Sequence, residues 1–161
     1  MFERFPRSSR RVLQRARDEA AVLGSPKLEA EHLLLALTRD EDPVVRQVLA
    51  TARLEHDALR QALEAQDEAA LASIGVSRTA FALPPNRPLT RTPGWSTSSK
   101  QALIRAKTVA AARHDGHIEP PHLLLAVLRA EAGTVPRALA FAGVDRIGLA
   151  VQTETALAGR R

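Results

Sequence analysis

Glu31-His32-Leu33-Leu34-Leu35-Ala36-Leu37 returns ninety residues later as Pro121-His122-Leu123-Leu124-Leu125-Ala126-Val127. Held at that offset, the match extends in both directions. Ser9, Leu13, Arg15, Ala16, Ala20 and Ala21 meet Ser99, Leu103, Arg105, Ala106, Ala110 and Ala111. Further on, Val45, Leu49, Ala50, Ala52 and Leu59 meet Val135, Leu139, Ala140, Ala142 and Leu149. Between 9–59 and 99–149, 19 of 51 positions are identical without a gap. An ungapped match of that length marks a structural unit used twice. Abundant Ala and Leu raise the count, but bias alone does not hold one register across several helices and turns.

Each copy reads as four helices. Val12, Leu13, Ala16, Ala20 and Leu23 recur at helical spacing, which predicts helix one over about 8–23 and its partner over about 98–113. Ser96 suits the cap of the partner, and Trp95 before it suits a hydrophobic staple. Phe5 holds the Trp95 position in copy one, and Pro6 suits a first turn. Helix two is expected over about 30–39 and 120–130, its leucine run implying burial on more than one side. Helix three follows Pro43, then Gly133 and Thr134. Helix four begins near Glu55 and Asp145, acidic residues that complement a helix start, and runs to about Leu71 in copy one. The domain limits are 5–72 for repeat one, 73–94 for a Pro-rich linker and 95–158 for repeat two, within one domain over 1–161. Pro84-Pro85-Asn86-Arg87-Pro88 rules out a continuous helix through the linker. A short extra helix near Ile74-Gly75-Val76-Ser77 is the alternative to an exposed connection. The whole is an all-α protein, a pseudo-two-fold bundle of about eight helices with a groove between the copies.

Composition narrows the function. There is no Cys among the 161 residues, which excludes disulfides and thiolate metal sites. No apolar run reaches the length of a membrane span. No G-x-x-x-x-G-K-[ST] phosphate loop and no G-x-S-x-G elbow occurs. Ser96-Thr97-Ser98-Ser99 reads as a helix start, and Asp40-Glu41-Asp42 as an acidic turn. His114, Asp115, His117, Glu119 and His122 are residue types that hold zinc. Their spacing is not that of a standard site, and His122 repeats His32, so a structural role is expected and no metal or cofactor. The formal charge of +5 and the arginines at 4, 7, 10, 11, 15 and 17 permit a second reading, a basic helical nucleic-acid-binding protein. Over the whole chain the arginines are spread and interleaved with Asp and Glu, which favours a solvated helix surface.

The opening Met-Phe-Glu-Arg-Phe, the stretch Glu19-Ala20-Ala21-Val22-Leu23-Gly24 and the duplicated His-Leu-Leu-Leu-Ala segment resemble the Clp N-terminal repeat of ClpA- and ClpC-type unfoldases. The resemblance covers about 1–158. It implies a cytoplasmic, non-catalytic domain that binds adaptor proteins, peptides and degradation signals of the Clp protease system. These residues contain no ATPase module, so a stand-alone double repeat is expected, with a fragment of an unfoldase as the alternative. In that family a Glu at the start of helix two pairs with the guanidinium of phosphoarginine. The matching residue here is Glu31, while repeat two has Pro121, which lacks both charge and backbone donor. The family's site for cyclic-peptide antibiotics maps onto Phe2, Trp95 and Lys100, and Arg10 is the repeat equivalent of Lys100. The resemblance therefore points to peptide recognition, with sequestration of a cyclic peptide as one form of it.

Overall fold

The computed structural model describes residues 2–82 and 87–160. Among these, the helices are α1 (Arg7–Val22), α2 (Ala30–Leu37), α3 (Pro43–Thr51), α4 (His56–Ser73), α5 (Thr97–Ala112), α6 (Pro120–Leu128), α7 (Thr134–Phe141) and α8 (Arg146–Ala158). Two short strands, β1 (Lys27–Leu28) and β2 (Gly94–Trp95), pair in parallel. Fold class and helix order agree with the sequence reading, with helix two ending two residues earlier in each copy.

The helices begin and end where side chains serve the free backbone groups. Ser96 caps α5 by accepting from the Ser99 N–H, and Asp42 caps α3 by accepting from the N–H groups of Val44 and Val45. The extra helix near 74–77 does not form, and the chain makes turns there instead. Gly75, at φ +76°, takes the left-handed position after α4, and Val76 N–H closes back onto Leu71 O at 2.9 Å. Gly24 (φ +71°) does the same after α1. A Cβ on Gly24 would stand 2.5 Å from Arg87 O, so glycine also lets the returning linker pass. Residues 84–86 of the Pro-rich stretch lie outside the described residues.

The core is built on α2 and α6, which pack against each other. Leu33, Leu34, Leu35, Leu123, Leu124 and Leu125 are all buried, and every residue of α6 is buried. Each of these helices is wrapped by helix one of its own copy, α1 on α2 and α5 on α6. The remaining helices are exchanged between copies. α4 of copy one packs on α7 of copy two, and α3 of copy one packs on α8 of copy two. Thr51 Oγ1 donates to Gln152 Oε1 at 2.9 Å across the second of these contacts.

The loops are exchanged as well. The segment before α5 clasps the loop before α2, through Gly94 N–H to Pro26 O (3.2 Å) and Ser96 N–H to Leu28 O (3.1 Å). The pseudo-two-fold counterpart joins Ile118 N–H to Arg4 O at 2.9 Å. There Pro6, with no N–H, cannot repeat the Ser96 bond. The buried Ser9 hydroxyl donates to Ile118 O instead, at 2.6 Å. Neither copy completes its core alone.

A single cooperative transition follows. Leu124→Ala, at the centre of α6, should cost about 2–5 kcal/mol. In urea, Trp95 fluorescence and far-ultraviolet circular dichroism should report coincident midpoints in both the parent and the variant. Separate midpoints would show that the two repeats unfold independently.

Candidate functional site

At the seam between the copies, the residues before α1 meet the residue before α5. Phe2 stacks on Trp95 with ring centroids 6.0 Å apart and meets Phe5 edge-on at 5.6 Å. Phe5 is buried and anchors the pair, while Phe2 and Trp95 stay partly exposed. They form one wall of a groove of about 390 Å³, which α1 completes with Arg10, Leu13, Gln14 and Arg17. Arg10 is held in place by its donations to Phe5 O (2.9 Å) and Phe2 O (3.4 Å). The Arg17 guanidinium lies 5.3 Å from the Trp95 ring centroid, in cation–π range. Lys100 is exposed on the first turn of α5 and does not line this groove. Of the predicted set, Phe2, Arg10 and Trp95 come together and Lys100 does not join them. Arg17, Leu13 and Gln14 were not singled out from sequence. Their spacing at 10, 13, 14 and 17 on one helix face was visible there, but not that Trp95 would cover it.

Glu31 occupies a different face. It stands on the first turn of α2 between two grooves. One, of about 640 Å³, runs past Ser98, Arg105 and Thr134, and the other, of about 750 Å³, runs along α4 past Arg60 and Asp67. Among the described residues no other side chain pairs with its carboxyl. Burial pushes the Glu31 pKa up to about 7, with Glu29 and Asp67 adding repulsion and its own backbone N–H opposing them. A carboxyl so placed gains from an incoming cation. At the equivalent place in repeat two Pro121 is buried in α6. Nearby, the Arg160 guanidinium is bound to Asp42 at 2.7 and 2.8 Å and to Glu119 at 3.0 Å.

His32 and His122 have matching structural tasks. His32 Nδ1 accepts from Glu29 N–H and His122 Nδ1 from Glu119 N–H, both at 2.9 Å. An accepting Nδ1 leaves the proton on Nε2, and His122 Nε2–H donates to Asp115 Oδ2 at 2.9 Å. Burial lowers the His32 pKa to about 4, which keeps its ring neutral. For Asp115, burial raises the pKa, but hydrogen bonds from His122 and Arg113 outweigh it and hold the carboxyl below its ordinary range. His114 (φ +58°) sits in the left-handed turn after α5, as Gly24 does after α1, and His117 is exposed. No group of three metal-ligating side chains occurs among the described residues. The serines of 96–99 serve the helix start and the seam, where Ser98 donates to Glu29 Oε2 at 2.6 Å and accepts from Ala30 N–H at 2.9 Å. The acidic turn is likewise engaged, Asp40 accepting from Asp42 N–H and lying 3.8 Å from Arg15. No helix of the described residues is long and apolar enough to cross a membrane.

The chain is thus a double four-helix repeat with exchanged helices and an aromatic seam between the copies. The model of the Clp repeat N-terminal domain matches residues 4–91 and 95–159, and the chain belongs to that family. In Clp unfoldases this domain binds substrates and adaptors. The chain is 26% identical over 145 residues to the chaperone protein ClpB of Oceanobacillus iheyensis, covering 90% of this chain and 16% of that protein's length. The fold is shared with the N-terminal domain of ClpD from Arabidopsis thaliana, at a TM-score of 0.70, 23% identity, and coverage of 98% and 96% of the two chains. It is shared with the Hsp104 N-terminal domain from Candida albicans, at a TM-score of 0.66, 18% identity, and coverage of 94% and 89%.

Glu31 and His32, neighbours at the start of α2, act in opposite directions on stability. His32, with a folded pKa of about 4 against an ordinary 6.5, contributes stability that is present above pH 6.5 and lost as pH falls toward 4. Glu31, with a folded pKa of about 7 against 4.5, contributes stability present below pH 4.5 and lost as pH rises through 7. Glu31→Gln should therefore be more stable than the parent at pH 8, by on the order of 1–2 kcal/mol after solvent screening. That advantage should disappear by pH 4. Urea melts across this range check it, and an equal difference at both ends would contradict it.

Proposed function

We propose that this chain is a non-catalytic recognition domain that takes peptides or adaptor segments of the Clp system in the groove beneath Phe2 and Trp95. One observation carries the reading. The two partly exposed aromatics, one from each repeat, are stacked over a groove of about 390 Å³ with cationic side chains on its other wall. Exposed aromatic and arginine side chains around a concavity are what dominate binding energy at protein surfaces. Phe2, Trp95 and Arg10 supply the platform. Cyclic peptides fit the same chemistry, since a preorganised ring loses little entropy on binding. Sequestration of such a compound, in the cytoplasm, is then a consequence of ordinary equilibrium binding. Lys100, away from this groove, would act at most on the parts of a larger partner that extend over α5.

Glu31 is the second element of the reading. Its unpaired carboxyl, raised by burial, favours a guanidinium on the face between α2 and α4, as a phosphoarginine degradation signal would bring. Nucleic-acid binding through helix one is the weaker reading. Arg4 donates to Asp115 O and Gly116 O, Arg15 to Arg39 O, Arg10 to Phe5 O, and Arg11 lies 4.0 Å from Glu41. Side chains so engaged present less free charge to phosphate.

Calorimetric titration with a cyclic peptide that binds ClpC-type domains, and separately with phosphoarginine, tests the assignment. Phe2→Ala and Trp95→Ala should each weaken cyclic-peptide binding at least tenfold, as expected for aromatic anchors, with little change in melting temperature. Glu31→Ala should leave the cyclic peptide unaffected and abolish phosphoarginine binding. Unchanged cyclic-peptide affinity in both aromatic variants would overturn the groove assignment.

A further inference from the structure

The Phe2–Trp95 groove holds an arginine whose hydrogen bonding is unmet. Arg17 lies about three turns into α1 and lines the groove beside Leu13 and Gln14. Its Nε is buried and has no hydrogen-bond partner. Among the described residues its contact is the face of Trp95, at 5.3 Å, and neither outer nitrogen is paired with an acid or a carbonyl. The contrast with its neighbours on α1 is sharp. Arg10 is tied to Phe5 O and Phe2 O, and Arg15 to Arg39 O with Asp40 3.8 Å away. A guanidinium that is partly withdrawn from water and left without an acceptor is costly, because a buried donor forfeits its solvation. The buried Nε is out of a ligand's reach, but the two outer nitrogens, which have no acid or carbonyl among the described residues, can take an acceptor brought into the groove. The acceptor that suits a planar fork of N–H groups is a carboxylate, which takes two parallel hydrogen bonds at once.

We propose that the groove selects a peptide presenting a carboxylate next to an aromatic or aliphatic side chain, with Arg17 as the residue that reads the carboxylate. The inference rests on the recognition reading of the same groove and adds the chemistry of its ligand. The apolar side chain lies on the Phe2 and Trp95 rings, and the carboxylate meets the Arg17 fork at the far wall. Arg10 adds positive potential without giving up its carbonyl bonds. Glu3, exposed at the rim, sets a limit on the ligand, because a second negative charge placed on that side is repelled. The charge supplied is either the free C-terminal carboxylate of a chain or a Glu or Asp side chain, and both satisfy the same fork.

The protein reports on this by itself, since Trp95 is its one tryptophan and forms the groove wall. Three blocked tetrapeptides, titrated against Trp95 fluorescence, separate the cases. One ends in Phe with a free carboxylate, one ends in Phe amide, and one carries Glu before a terminal Phe amide. Either carboxylate peptide should bind roughly ten- to a hundredfold tighter than the uncharged amide, the range of a charge-assisted pair. The stronger of the two identifies the source of the carboxylate. In Arg17→Gln that preference should vanish, both carboxylate peptides falling to the affinity that the same variant shows for the uncharged amide. Arg17→Lys should restore part of the preference, because it keeps the charge and loses the fork. Equal binding of all three peptides by the parent would overturn the role of Arg17 and leave the groove assignment standing. No fluorescence response to any of them would overturn both.

Discussion

The structure depends on the burial of α2 against α6. Each is short and almost wholly apolar, with no polar face to turn toward water. A helix of that kind is stable only when covered on several sides. One repeat has three other helices, and helix one covers a single side. α8 also covers α6 within its own copy, and further cover comes from the other copy, by exchange of helices three and four and of the segments that precede helix one. Duplication here supplies missing parts of each core.

The candidate groove is a by-product of that exchange. To clasp the loop before α2, the chain before α5 must run past α1, and this brings Trp95 over α1 beside Phe2. The groove is therefore asymmetric. α1 provides most of its lining and copy two provides Trp95. The opposite crossing carries Arg4 and Phe5 into the loop before α6, where Phe5 is buried and Arg4 donates to Asp115 O and Gly116 O. The same exchange that closes one side leaves aromatic surface open on the other. Most arginines of α1 serve backbone carbonyls and acids of the protein itself. Arg17 does not, and it stands in the open groove.

Much of this was legible in the sequence. The ninety-residue offset gave the helix order, the motifs within it carried the resemblance to the family, and the match of His122 to His32 pointed to the helix-start bonds that both rings make. Gly24 and His114, equivalent and both left-handed, show why a histidine there marks a turn. The exchange of helices was not legible, because periodicity reports which face is apolar and not which copy covers it. The two-residue strands were too short to leave a pattern. Lys100 was placed near the groove by the family resemblance and Arg10 by its equivalence to Lys100, but equivalent residues in a pseudo-two-fold lie on different copies, and the groove wall belongs to α1. Arg17 was hidden among six arginines, since what distinguishes it is a ring that arrives from residue 95.

The central claim is that the seam beneath Phe2 and Trp95 is where this domain takes its ligand. Amide and indole chemical-shift mapping with a bound cyclic peptide tests it most directly. The account predicts perturbations centred on Phe2, Leu13, Arg17 and the Trp95 indole, with α4 and the Glu31 face unmoved. A bound peptide that shifts the Glu31 face and leaves the Trp95 indole in place would contradict it.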